Sequence, residues 1–342
     1  MESAIIQRFC VIEILRKLKL ENLKGRTRLA IKICVIGAGY FGRHHARILA
    51  RMEGATLLAV CDSDAAKAAE AARSAAWGCR AETDFRKILD EVDAVCVVTP
   101  TSSHRDIALA CIKAGKHVFV EKPIASDVAQ ADEMVEAARA CGLVLQIGHV
   151  ERYNAGFRKL VSLVDGPIHI DTHRVSPVIE RALNVDVIID LMIHDLDAVN
   201  ALVRSPVKFI GAGGVSAVSG KIDAATAWLE FESGVTAHLF AGRMSDEKKR
   251  VIKVSQRGCM LRLDYQSEML EKYVASGMAT SCAKIPVEAC DPLTEELKDF
   301  IGCIKNGDRP AVTGEDGRQA LWLANEITQR ISRLKEFKGV MI

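Results

Sequence analysis

The stretch Ile31–Gly42, IKICVIGAGYFG, constrains this chain more than any other. A short apolar run ends in Gly37-x-Gly39-x-x-Gly42 and leads into FGRHHARILARM, whose pattern predicts a helix. Strand, tight turn and helix in that order are the setting in which this glycine spacing cradles a dinucleotide. Gly37 permits the turn, Gly39 lets the backbone approach a pyrophosphate, and Gly42 lets helix and strand pack closely. The helix start turns N–H groups and the positive end of its dipole toward the phosphates, and Tyr40 and Phe41 belong to the same candidate surface.

A glycine-rich turn alone also fits an incidental loop. Here a second strand, ATLLAVC, ends at Asp62, 20 residues beyond Gly42, the spacing of the acidic residue that holds the adenosine ribose. A carboxylate there accepts hydrogen bonds from both ribose hydroxyls and repels a 2′-phosphate. Ser63 and Asp64 follow, with no arginine to hold such a phosphate, so the expected cofactor is NAD rather than NADP.

From Leu29 to about Val150 strands (IKICVI, TLLAVC, AVCVVT, HVFVEK, LVLQIG) alternate with helical segments at Asp64–Arg73, Ser103–Ala114 and Asp127–Cys141. Near-continuous apolar strands with helical crossovers predict a doubly wound α/β sheet, parallel and covered on both faces. Gly115 and Gly142 fall where helices should end. After Val150 one apolar helix, Val187–Val203, precedes strand-rich sequence: VKFIGAGGVSAV, AATAWLEFES, GVTAHLFAGRMS, KRVIKVSQRG and CMLRLDYQ. Strands without intervening helices predict a large, mostly antiparallel open sheet in an α+β domain, closed by helices at Leu293–Lys305 and Glu315–Lys335. The expected division is a basic extension over 1–28, a nucleotide-binding domain over 29–150, and a substrate and oligomerisation domain over 151–342. One exposed sheet face invites pairing into a homodimer or homotetramer.

Charge and cysteine usage bound the function. Residues 1–32 carry eight Lys/Arg against three Asp/Glu, while the rest of the chain holds 38 basic and 41 acidic groups. The body is not a nucleic-acid binder on charge grounds, and 5% aromatic content offers little stacking surface. Eleven cysteines without a CxxC pair, several inside apolar segments (Cys34, Cys61, Cys96, Cys111), point to buried thiols in a reducing cytoplasm. No apolar run reaches the length of a membrane span. The N-terminal segment, interrupted by Gln7, Arg8, Glu13 and Arg16, lacks a signal-peptide core, though it could form an amphipathic helix or be an accessory extension.

Three constellations carry candidate chemistry. Glu121-Lys122-Pro123 follows the strand HVFV at the sheet edge where doubly wound folds bind ligands. Lys122 could stabilise an alkoxide beside a nicotinamide, with Glu121 on the cofactor side, or could be a solvated surface lysine. Thr99-Pro100-Thr101-Ser102-Ser103-His104 follows AVCVV on the same edge. Thr99, Pro100 and His104 suit cofactor contact, or Ser102 or Ser103 could simply cap a helix with His104 on the surface. In the helix DVIIDLMIHDLDAVNALV, Asp190, His194 and Asp197 fall on one face at i, i+4 and i+7. An Asp–His pair aimed at a cleft gives a proton acceptor, a satisfied core histidine is the alternative, and no Cys/His cluster at ligand spacing supports a metal.

With these residues in hand, the chain resembles the glucose–fructose oxidoreductase and inositol dehydrogenase family (Gfo/Idh/MocA) over residues 30–342. The glycine motif, Glu121-Lys122-Pro123 and Asp190-xxx-His194 occur in that family's order and two-domain layout. The resemblance implies a Rossmann domain, an NAD-dependent sugar dehydrogenase, and catalytic roles for Lys122, Asp190 and His194, with His194 or Lys122 as the base. GHVERYN (148–154), HRVSP (173–177) and DLMIHDLD (190–197) resemble the UDP-N-acetylglucosamine 3-dehydrogenase group, linked to lipid A with 3-amino sugars; Ala155 departs from that group's proline. The narrower resemblance implies a nucleotide-sugar substrate, for which Arg152, Tyr153, Asn154 and Arg174 are candidate contacts. For each of these four, a surface salt bridge or a packed ring is the structural alternative.

Overall fold

The structure, a computed structural model, describes residues 30–180 and 183–337; the basic extension over 1–28 lies outside the described residues. Six strands, β1 (Ile31–Ile36), β2 (Ala55–Cys61), β3 (Arg80–Glu82), β4 (Ala94–Val97), β5 (His117–Glu121) and β6 (Leu145–Gly148), form one parallel sheet in the order β3-β2-β1-β4-β5-β6. The order reverses between β1 and β4, which opens a crevice at their carboxyl ends. Helices α1 (Tyr40–Leu49), α2 (Ala65–Ala75), α3 (His104–Lys113) and α4 (Val128–Cys141) cross between strands and cover both faces. Every residue of β4 and β6 is buried, which is why β4 reads as an unbroken apolar run and β6 departs from one only at Gln146.

Local chemistry sets the helix ends. Asp64 and Asp127 accept hydrogen bonds from the first backbone N–H groups of α2 and α4. Gly142 ends α4 at φ 62°, a left-handed conformation that favours glycine. The edge strand β3 escapes sequence reading because its three residues, RAE, carry no apolar signal.

The second sheet has eight strands in the order β14-β13-β12-β11-β7-β10-β9-β8. They are β7 (Pro167–Val175), β8 (Val207–Val215), β9 (Ala224–Phe231), β10 (Thr236–Gly242), β11 (Lys249–Gln256), β12 (Cys259–Asp264), β13 (Met269–Ser276) and β14 (Ala279–Ile285). All pairings are antiparallel except that of β7 with β10. Strand β7 sits centrally although PIHIDTHRV is polar. Its period of two buries Ile170, Thr172 and Arg174 on the inner face, so a guanidinium occupies a core position.

The expected single helix over Val187–Val203 is instead a π-helical turn, Ile188–Met192, running directly into α6 (Ile193–Val203). The wider turn changes the angular step per residue, so Asp190, His194 and Asp197 do not stay on one α-helical face. Helix α5 (Ala155–Leu163) packs on β12, and α7 (Pro292–Asn306) puts Leu297, Phe300 and Ile301 into the core behind β1. Helix α8 (Gly314–Phe337) gives Leu321 to the parallel-sheet core and Leu323, Ala324, Ile327 and Ile331 to the other. The closing helices are thus shared between the two sheets.

Candidate active site

At the crevice, Gly37 takes φ 103° and donates its N–H to Cys61 O at 2.7 Å. A side chain there would run into the carbonyl of Val98, and one on Gly42 into the carbonyl of Gly37. Above Gly39 there is open space, with nothing within 4 Å of where a Cβ would stand. No side chain caps α1, and its first turn holds no acidic residue. Asp62 lies beside the loop and accepts the Ala38 N–H at 2.7 Å. A tight turn, an open approach, an uncapped helix start and a carboxylate one strand over fit a dinucleotide. Tyr40 and Phe41 are exposed on the first turn of α1, ring centroids 5.3 Å apart.

The two loops at the ends of β4 and β5 are tied together. The ring nitrogens of His104 lie 2.8 Å from Thr99 O and 3.0 Å from Pro123 O. His104 is buried, not on the surface, and burial lowers its pKa. Ser103 does not cap α3; its hydroxyl turns back to Thr99 Oγ1 and Pro100 O, both at 2.8 Å. Glu121 has its carboxylate committed within the protein: Oε1 is 2.9 Å from His45 Nε2 and Oε2 accepts the Lys122 N–H at 3.2 Å. It therefore anchors the Lys122 backbone. Burial opposes its charge, but the His45 ring and Lys122 hold its pKa below the usual value. Sequence reading missed His45, a fully buried residue hidden in a helix that looked merely polar.

Lys122 reaches across to the second half of the molecule. Its Nζ donates to the backbone carbonyl of Asp190 at 2.9 Å, on the π-helical turn. Burial lowers its pKa, opposed by the Asp190 and Glu121 carboxylates and reinforced by Arg174 and Arg250. His194, one residue into α6, is held well below its ordinary pKa by burial first, then by the charges of Lys122 and Arg174. Its Nδ1 is enclosed without a hydrogen-bond partner among the described residues, so the expected Asp190–His194 pair is not made through that nitrogen. Asp197 points away, 3.3 Å from Arg152 Nη1, and burial lifts its pKa to about 7 despite that arginine.

The four candidate substrate contacts have structural partners. Arg152 also donates to Ala311 O at 2.9 Å. The Tyr153 hydroxyl donates to Asp299 at 2.7 Å and accepts from Gln146 at 3.0 Å. Asn154 caps α5 through the Phe157 N–H. Arg174 is 2% exposed, bonded to Asp195 at 2.8 and 3.0 Å and to Glu151 at 2.8 Å, beneath the ring of Tyr265. The enclosed Arg174 guanidinium and the polar stretch ERYN tie α5, α6, α7 and β7 together through these bonds. The cation that sequence reading missed is Arg250, opposite Arg174 on β11, with a 41% exposed side chain and a loose 3.4 Å contact to Glu151. Its charge helps lower the pKa of both Lys122 and His194. Only the pairing of β7 with β11 brings it here, and no local motif announces it.

Two protein-family models match the chain. One, described as "Oxidoreductase family, NAD-binding Rossmann fold", spans residues 31–149, and the other, "GFO/IDH/MocA C-terminal domain", spans residues 162–259. UDP-N-acetylglucosamine 3-dehydrogenase of Acidithiobacillus ferrooxidans is 35% identical over 300 residues, covering 86% of this chain and 95% of that protein. The chain belongs to the Gfo/Idh/MocA oxidoreductase family. A solved structure of the same Acidithiobacillus enzyme superposes with TM-score 0.85 at 33% identity, covering 89% of this chain and 99% of that one. Myo-inositol 2-dehydrogenase of Thermotoga maritima is 27% identical over 337 residues, covering 90% and 98%. As a Gfo/Idh/MocA member the chain is a dehydrogenase with NAD as its cofactor, which fits the open loop at Gly39 and the carboxylate at Asp62.

Proposed function

We propose that the chain oxidises the C3 hydroxyl of a UDP-linked N-acetylhexosamine, UDP-N-acetylglucosamine first among them, to a ketone. The observation that carries the chemistry is Lys122 Nζ fastened to the Asp190 carbonyl beside an imidazole that burial and cations keep neutral. When bound, NAD supplies the hydride acceptor. His194, uncharged, takes the hydroxyl proton through Nε2. Lys122 stabilises the negative charge growing on the substrate oxygen, and the Asp190 carboxylate opposes the lowering of that lysine's pKa by burial. Arg250 is the half-exposed cation suited to the diphosphate. The roles of Glu121 and Arg174 are indirect: the first seats Lys122, and the second fixes Glu151 beside Arg250.

The substrate assignment is supported by the likeness to the Acidithiobacillus enzyme and by the segments GHVERYN, HRVSP and DLMIHDLD. Alcohol oxidation by NAD is uphill near neutral pH, so the assay couples the ketone to a sugar aminotransferase with glutamate. Mass spectrometry should then find a UDP-linked 3-amino sugar, the kind of precursor that lipid A with 3-amino sugars requires. Turnover of myo-inositol or free glucose with none of UDP-N-acetylglucosamine would transfer the chain to the second reading, an inositol or sugar dehydrogenase, which the Thermotoga relative favours. Absence of nicotinamide reduction with every candidate would favour a regulatory dinucleotide binder.

The same reading includes a homo-oligomer paired through the outer face of the eight-stranded sheet, where Ile168, Phe209 and Trp228 are exposed. Trp228→Glu with Phe209→Glu should lower the mass measured by light scattering to that of one chain. It also includes a reducing cytoplasm: the ten cysteines among the described residues are all free, and Cys34 and Cys61 sit with sulfurs 3.6 Å apart and unbonded. Among the described residues no helix is long and apolar enough to cross a membrane.

A further inference from the structure

His149 stands one residue past the carboxyl end of β6, after Gly148. A Cβ on Gly148 would press on Glu121, 2.8 Å from its Oε2 and 3.2 Å from its Cα. The His149 backbone N–H is bonded to Ile147 O at 2.8 Å, and its ring is 1% exposed. Neither ring nitrogen has a hydrogen-bond partner among the described residues, and neither does Nδ1 of His194. The two rings meet edge to face with centroids 6.4 Å apart. Buried polar atoms are rarely left unmet, and three orphans around one contact mark a shared polar gap rather than scattered defects. Even ring nitrogens turned toward each other at that separation remain about 4 Å apart, too far for a direct bond and within reach of one water.

We propose that His149 is a positioning residue for His194: through a single bridging water it accepts the Nδ1 hydrogen of His194 and so leaves Nε2 as the nitrogen offered to the substrate hydroxyl. The inference rests on the reading of His194 as the base. In many acid–base sites a carboxylate does this work. Here the Asp190 carboxylate acts on the charge of Lys122, and Asp197 is bonded to Arg152. The surroundings keep His149 an acceptor. It faces Lys122 from the β5 loop and Arg152 from its own turn, with Glu121 and Asp316 opposing, and burial with these cations lowers its pKa to about 3. His194 faces Lys122, Arg174 on β7, Arg250 on β11 and His149 itself. Neither ring gains from a second proton, so each keeps one N–H and one bare nitrogen, and in the proposed arrangement the water accepts from His194 and donates to His149.

The test uses the full chain with NAD and UDP-N-acetylglucosamine, together with nitrogen-15 NMR of the histidine rings without substrate. In the wild type His194, assigned by its absence in His194→Asn, should be the Nδ1–H tautomer. His149→Phe keeps the ring shape and removes both nitrogens. It should mix the tautomers, lower kcat by 10- to 100-fold, move the acid limb of the kcat–pH profile, and leave KM and NAD affinity within twofold. His149→Asn, which can still receive the water, should recover most of the turnover. In the His194→Asn background, His149→Phe should cost nothing more. Unchanged tautomer and turnover in His149→Phe would overturn the proposal, and so would an equal loss in both backgrounds. If His149→Phe fails to fold, a His149→Asn protein with normal melting, low turnover and an unmoved pH profile overturns it likewise. Full turnover of His194→Asn is a different result: it removes the base assignment itself.

Discussion

In the proposed reaction Lys122 and His194 carry different tasks, and mutation separates them. Lys122→Ala and His194→Ala should each lower turnover by about 10²–10⁴-fold, the usual cost of a positioned acid–base or charge-stabilising group. NAD titration by fluorescence should show nearly unchanged affinity in both, because neither touches the glycine loop; collapse of NAD binding would make the residue structural. At the cofactor end, Asp62 should make kcat/KM with NAD exceed that with NADP, through repulsion of the 2′-phosphate. Asp62→Ala with Ser63→Arg should narrow the gap, and equal values in the wild type would sink the assignment. What could be read at this scale divides sharply. Gly37, Gly39, Asp62 and Lys122 were legible as candidates because each sits at a fixed offset from a strand end, and His194 because it follows Asp190 by four residues in an apolar helix. His45, His149 and Arg250 were not. Each acquires its setting only through contacts across the fold, with Glu121, His194 and Glu151 respectively, and nothing in the local sequence marks that.

At the scale of elements, the parallel sheet was legible because burial on both faces writes itself as apolar runs. The open sheet was only partly so. Strand β7 was missed because its inward residues include Thr172 and Arg174, β13 because Glu271 and Lys272 interrupt its apolar residues, and β14 because its residues are almost all exposed at an edge. The cost of placing a guanidinium in a core strand is a prediction in itself. Arg174→Ala should destabilise the protein by about 3–5 kcal/mol, since it strands Asp195 and Glu151 inside. Arg174→Met, equally long and uncharged, should be no better while those carboxylates remain. Chemical denaturation read by circular dichroism checks both, and a loss below about 1 kcal/mol would mean that water reaches the pair. The π-helical turn before α6 was unreadable for a different reason: one extra residue in a helical turn leaves the apolar pattern of Ile188–Val203 intact and changes only where Asp190 and His194 point.

For the molecule as a whole, buried ionisable groups tie stability to pH. Burial lifts Asp197 to about 7, whereas the unfolded chain releases that proton near pH 4. Between these values the folded state holds a proton that the unfolded state does not, so this group's contribution to stability falls as pH rises from about 4 to about 7 and is level outside that window. Asp197→Asn should therefore gain on the wild type by up to about 1.4 kcal/mol per pH unit across the window, measured as denaturation midpoints at pH 5 and pH 8. An unchanged difference between the two pH values would refute it. A larger consequence follows from α8. It lends Leu321 to one core and Leu323, Ala324, Ile327 and Ile331 to the other, and Arg318 ties it to Asp132 on α4. Neither half can finish folding without a stretch of helix that the other half also needs. Calorimetry should accordingly record one heat-absorption peak, with the van't Hoff and measured enthalpies equal, from a chain whose two sheets look like separate bodies. For the same reason, grafting a new substrate half onto this nucleotide half at residue 150 would sever a debt owed in both directions, and a chimera would have to carry its last helix along with whichever partner it keeps.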